Sequence, residues 1–150
     1  MPLPTIATPT YELILPSTGK KLKYRPFLVK EEKLLILALE SKNQVEITNS
    51  VKDVLKECVL TRGVKIDDLP TFDIEYLFLN IRAKSVGEDI NLIVTCPDDK
   101  ETEVKVTVYV DDIEVIKSKD HNKDIKLDKD MTLRMKYPSL NQFIENNFNT

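Results

Sequence analysis

His121, Cys58 and Cys96 are the side chains in this sequence best suited to metal or nucleophilic chemistry. Their spacing serves neither. A structural zinc site needs a full tetrahedral ligand set, usually built from close Cys or His pairs, and no such pair occurs. His121, in "SKDHNKD", has charged neighbours and reads as a solvent-facing loop residue. Cys58 falls on the apolar stripe of a helix and reads as a small hydrophobe. Cys96 precedes a turn and is the more exposed candidate, but nothing near it in the sequence would activate a thiolate. "PSTGKK" contains the Gly-Lys pair of a phosphate loop, yet lacks the first glycine, the following Ser or Thr, and the following helix. The carboxylate clusters "DDIE" and "DKD" do not follow the calcium-loop ligand order and read as solvated turns. GxSxG, HExxH and GxGxxG are absent. The sequence therefore predicts no enzyme, no metal and no cofactor. A small enzyme using Cys96 is the competing reading from another class.

The elements that would position any site are easier to read. "TYELILPSTGKKLKYRP" alternates, with Tyr11, Leu13 and Leu15 on one side, then Leu22 and Tyr24. "PSTGK" supplies turn residues between them, so the segment predicts a β-hairpin whose second strand is basic through Lys20, Lys21, Lys23 and Arg25. A helix is expected over about 28–41. Its run Leu34-Leu35-Ile36-Leu37-Ala38-Leu39 wraps most of the circumference, whereas a surface helix normally shows one apolar stripe. Either this band fills the core on one side and meets a partner on the other, or it is sandwiched between the hairpin, the next helix and a sheet. The second helix, about 45–60, is amphipathic through Ile47, Val51, Val54, Leu55, Cys58 and Val59, with Gly63 as its stop. A third, about 71–85, is capped by Asp68 or Thr71 with Pro70 at its entrance. It carries one stripe of Ile74, Leu77, Phe78 and Ile81 and another of Tyr76, Leu79 and Ala83, and Gly87 ends it.

From residue 88 the period changes to two. "INLIVTC", "EVKVTVYV", "DIKLD" and "MTLRMKY" predict a half-buried antiparallel meander, with a charged connection over 111–122. A last helix starts at Ser139, with Leu140, Phe143, Ile144 and Phe148 apolar. The order is an N-terminal β-hairpin, a three-helix segment, an antiparallel β meander and a C-terminal helix, which is α+β. Residues 1–9, with three prolines, read as an extended N-terminal arm. Residues 10–150 read as a single domain, helical over about 28–87 and β over about 88–137.

The 150 residues are 41% hydrophobic and 31% charged, a globular profile with a formal net charge of −3. Such a balance argues against a general nucleic-acid surface. No apolar run is long enough to span a membrane and no secretory h-region opens the chain, so two reduced cysteines in a cytosolic setting are expected. The charge is unevenly spread. Residues 1–87 carry 13 Lys/Arg against 11 Asp/Glu, while residues 88–130 carry 7 against 13. The acidic segment is either a set of solvated strands and loops or a face that docks a basic partner.

Three stretches, "YRPFLVKEEKLLILALE", "LPTFDIEYLFLNIRAKSVGE" and "RMKYPSLNQFIENNF", resemble the T4-type bacteriophage baseplate hub proteins. The likeness runs from about Tyr11 to Phe148. It implies a non-enzymatic protein of tail baseplate assembly, with other baseplate hub or tape-measure proteins as partners and self-association as a further option. It also implies a place in the host cytoplasm during assembly or in the virion tail baseplate. The alternative is a transient tail assembly chaperone that is absent from the virion. Members of the family continue past the point where this chain ends, so the chain reads as a short relative or a truncated form. The partner-binding residues expected are Phe27, Leu34, Leu37 and Tyr76 as apolar anchors, with Lys20, Lys21 and Lys23 steering the encounter.

Overall fold

Leu13 and Leu22 lie opposite one another and face inward, and that pairing starts the fold. β1 (Tyr11–Ile14) and β2 (Lys21–Tyr24) are antiparallel, with Tyr11 opposite Tyr24 on the same inner face. Their ring centroids are 5.8 Å apart. Gly19, at φ 69°, takes the left-handed position in the connecting turn, where its N–H donates to the Leu15 carbonyl at 2.8 Å. The outer face carries Glu12 paired with Lys21 at 2.7 Å. The computed structural model describes residues 7–148. Most of the expected N-terminal arm, residues 1–6, lies outside the described residues, as does the side chain of Phe148.

α1 (Val29–Ser41) and α2 (Gln44–Cys58) follow as neighbours joined by a short turn in which Lys42 adopts φ 55°. Asn43 caps α2, its side-chain oxygen accepting from the Val45 N–H at 3.0 Å. The α2 stripe is buried as the spacing predicts: Val54, Leu55 and Cys58 are inaccessible, and Val51 packs partly against them. Gly63 is not the helix stop. The chain leaves α2 at Val59, which turns extended and bridges Tyr24 of the hairpin. The Arg25 N–H donates to the Cys58 carbonyl at 3.0 Å, so the exit strand of α2 is held along the edge of β2. Backbone pairing there satisfies the groups a glycine cap would otherwise serve.

α3 (Thr71–Val86) begins after a single 3-10 turn at Ile66–Asp68. Neither Asp68 nor Thr71 caps it. Pro70 occupies the cap position with no side-chain bond, and Asp73 is turned the other way, into the core. There its carboxylate accepts from the Ser17 N–H at 3.0 Å and from the Ser17 hydroxyl, joining the hairpin turn to the first turn of α3. The positive end of the helix favours the negative charge at that place. Ile74, Leu77 and Ile81 are buried, Phe78 partly so, and Gly87 at φ 134° ends the helix.

The strands beyond α3 pair antiparallel in chain order, but as two separate ribbons rather than one sheet. β3 (Asp89–Thr95) pairs with β4 (Glu103–Tyr109), and β5 (Asp124–Lys126) with β6 (Thr132–Arg134). The expected half-burial does not occur. Of the residues in 88–137, Val110 alone is buried, in a 3-10 turn at Val110–Asp112, and the connection after it is irregular. α4 (Leu140–Phe148) closes the core through Leu140, with Ser139 and Gln142 forming a capping box. The architecture is α+β.

Leu55→Ala is expected to lower stability by about 2–5 kcal/mol, because Leu55 is fully enclosed and the gap cannot easily collapse. Urea unfolding of the two proteins checks it, and a loss below about 1 kcal/mol would mean the α2 stripe is not core.

Candidate functional site

The α1 helix is inverted relative to ordinary amphipathic logic. Its buried residues are Glu31 and Ala38, while Leu34 is 42%, Ile36 50%, Leu37 56% and Leu39 61% exposed. Leu35 alone of the aliphatic run packs partly against the core. The sandwiched reading of this helix is thereby overturned, since no strand or helix among the described residues covers the outer side of the band.

Glu31 is buried for a local reason. Its carboxylate accepts from the Leu28 N–H at 2.7 Å and from Arg25 Nη2 at 2.9 Å, and Lys30 Nζ lies 3.3 Å away. It is the reach-back half of a capping box, with leucine where a Ser or Thr would complete it. Burial alone would raise the Glu31 carboxyl, but the bonds from Arg25 and Leu28 outweigh it and hold the group below its ordinary value. The pair fixes the end of β2 to the start of α1 and so sets which side of α1 faces outward.

Leu34 and Leu37 line a cleft of about 370 Å³ between α1 and α2, whose other wall carries Glu46 and Asp53. Phe27 is partly buried, its N–H held by Ser85 Oγ at 3.0 Å, and it lines a larger cleft of about 760 Å³ with Leu28, Val29 and Val86. Val29 and Val86, missed in the sequence, are highly exposed there. Tyr76 differs: it is half-buried on α3 and packs against the core. Lys20, Lys21 and Lys23 are exposed on the hairpin. Glu12 lies 3.7 Å from Lys23 as well as bonding Lys21, so the basic strand is partly neutralised by its neighbour.

The chemistry-bearing residues stay apart. Burial pushes the Cys58 thiol up to about 11, so little thiolate forms at neutral pH. His121 is exposed, with Nε2 2.5 Å from the Tyr137 hydroxyl and its ring stacked on that of Tyr137. Phe72 meets Tyr137 edge-on at 4.9 Å, which lays this connection against the start of α3. No group of His, Cys, Asp and Glu able to hold a metal occurs among the described residues. No helix among them is long and apolar enough to cross a membrane.

A family model described as T4 bacteriophage base plate protein matches residues 8–150. The chain belongs to the T4 bacteriophage base plate protein family. No curated protein and no solved structure matches it. Within this base plate family member, the fold carries its apolar surface on α1 and on the ribbons.

Glu31→Gln should destabilise the protein at neutral pH, because Arg25 would remain nearly enclosed without its countercharge. The folded carboxyl is depressed, so its contribution is complete above the ordinary value of 4.5 and disappears as pH falls through the lower folded value. Thermal melts across that range should show wild type and variant converging in acid. Parallel curves would remove the assignment.

Proposed function

We propose that this base plate family protein is a non-enzymatic component of the tail baseplate hub, acting through protein–protein contacts during tail assembly. The observation that carries the reading is α1. A helix that buries Glu31 and exposes Leu34, Ile36, Leu37 and Leu39 presents an aliphatic band whose burial against a partner would be favourable. Phe27, beside its start, sits in the cleft with Val29 and Val86 and extends the same apolar character. Other hub proteins or the tape-measure protein are the partners proposed, met in the host cytoplasm while the tail is built. The exposed lysines of β2 would influence the encounter rate more than the affinity. Tyr76 is the weakest of the anchors, since the core already holds it.

A second reading is a transient assembly chaperone that binds hub or tape-measure polypeptide and is then released. The uncovered ribbons favour it, because a protein that holds apolar segments of a client must itself show apolar surface when empty. Mass spectrometry of purified particles separates the two. Several copies per virion support the hub component; absence from the virion with recovery in tail precursors supports the chaperone.

Leu37→Asp should fold normally, since its side chain already meets water, with a change of stability within about 0.5 kcal/mol. It should fail to enter baseplates, or fail to support their assembly. Circular dichroism and particle yield check the two halves. A normally folded variant that still gives complete baseplates would eliminate α1 as the contact.

A further inference from the structure

The β3–β4 register sorts the ribbon into two unlike faces. Residues directly opposite one another share a face. Ile90 opposes Val108, Leu92 opposes Val106 and Val94 opposes Val104, so one face is six aliphatic side chains with no polar member. Asp89 with Tyr109, Asn91 with Thr107, Ile93 with Lys105 and Thr95 with Glu103 make the other face. An isolated two-stranded ribbon is marginal in water, and this one leaves Leu92, Val94, Val104 and Val106 between 40% and 48% exposed. The aliphatic face is built like the inner surface of a sheet whose covering layer belongs to another molecule.

Charge decides what that layer is. Residues 88–114 carry nine carboxylates against two lysines. They sit at both ends of the face: Asp98, Asp99 and Glu101 around Lys100 at the tip, and Asp111, Asp112 and Glu114 at the base, where Glu88 is already paired with Lys84. Asp99 is held in place by the Thr102 N–H at 3.0 Å and the Thr102 hydroxyl. A second copy stacking ribbon on ribbon would set like charge against like charge, a costly arrangement. Pairing along a ribbon edge would satisfy backbone groups but leave the aliphatic face wet. The face is about 23 Å long, and two strands about 4.8 Å apart give it the width of a helix. A helix of about 16 residues, about 24 Å long, covers that area.

We propose that the aliphatic face of the β3–β4 ribbon is a docking site for an amphipathic helix of another protein, whose apolar stripe is flanked by lysine or arginine at both ends. The stripe packs on Leu92, Val94, Val104 and Val106, and the terminal cations meet the carboxylates of the tip and base. This surface is distinct from the α1 band and does not depend on it. Its test and the virion measurement fail independently.

The probe is a labelled synthetic helix of about 18 residues with a leucine stripe and lysines at both ends, together with a twin in which glutamate replaces lysine. Fluorescence anisotropy with the full chain should show saturable binding of the lysine peptide, weakening between about 50 and about 300 mM NaCl. The glutamate twin should bind at least about tenfold more weakly. Val94→Thr combined with Val106→Thr keeps β-branched side chains in the strands and should weaken binding by about tenfold or more. Ile93→Thr, the same change on the opposite face, should leave binding unaltered and controls for ribbon stability. Equal binding of both peptides, binding of neither, or equal effects of the two threonine variants would overturn the proposal. So would self-association in sedimentation that the Val94→Thr/Val106→Thr variant abolishes, which would name a second copy as the occupant.

Discussion

Among the described residues, one small buried cluster ties the hairpin, the helices and the 3-10 turn together, and its membership constrains their orientation. The buried cluster draws on the hairpin, α2, the 3-10 turn, α3 and the single residue Leu140 of α4. Two buried carboxylates close it. Asp73 takes both donors of Ser17 and ties α3 to the hairpin turn, while Glu31 takes Arg25 and ties α1 to the end of β2. These bonds fix orientation more than they add net stability, because each buried charge is costly unless fully paired. The Glu31 pair has the larger consequence. With Glu31 and Ala38 on the inward side and Leu35 partly beside them, Leu34, Leu37 and Leu39 are left facing outward.

That choice explains why helix and strand positions were legible in the sequence while coverage was not. Periodicity located α2, α3 and α4 because its signal is local, and Ser139 and Gly87 marked one start and one stop, while the caps expected at Asp68 or Thr71 and the stop at Gly63 failed. Local signals state what an element is, not what lies over it. A leucine run on α1 reads the same whether sheet, solvent or partner covers it. Glu31 gave the one available clue, as an acidic residue at the third helical position able to reach back to the Leu28 N–H. Its burial depends on Arg25 arriving from β2, a tertiary event. The burial of Asp73 is likewise a tertiary event, since its partner Ser17 is 56 residues distant.

The ribbons show the same limit from the β side. Alternation in "EVKVTVYV" correctly divides valines from polar residues, and period two correctly predicts a strand. The step to half-burial assumed that four strands would form one sheet with a face on the core. The 3-10 turn at Val110–Asp112 and the irregular chain after it separate the pairs instead. Register was the missing information. Only with Leu92 opposite Val106 and Val94 opposite Val104 does it become clear that one face is wholly aliphatic.

The α1 band and the ribbon meet at one junction, the end of α3. Ser85 accepts the Phe27 N–H beside the start of α1 and donates its hydroxyl to the Ile81 carbonyl at 2.6 Å. One residue earlier Lys84 pairs with Glu88, and two residues later Gly87 makes the turn from which β3 departs. At φ 134° that turn suits glycine and strains any side chain, even though the space around it is open. Val110, buried under α3, receives no freedom to swing, because its N–H donates to the Glu88 carbonyl at 3.0 Å. The direction in which the ribbon leaves is therefore set by the same helix end that supports Phe27. The two surfaces differ in chemistry: α1 mixes Lys30, Glu32, Lys33 and Glu40 around its leucines, whereas the ribbon is acidic at both ends. On the two proposals made above, a partner suited to one surface is poorly suited to the other, and the fixed junction would hold two such partners in one relative orientation.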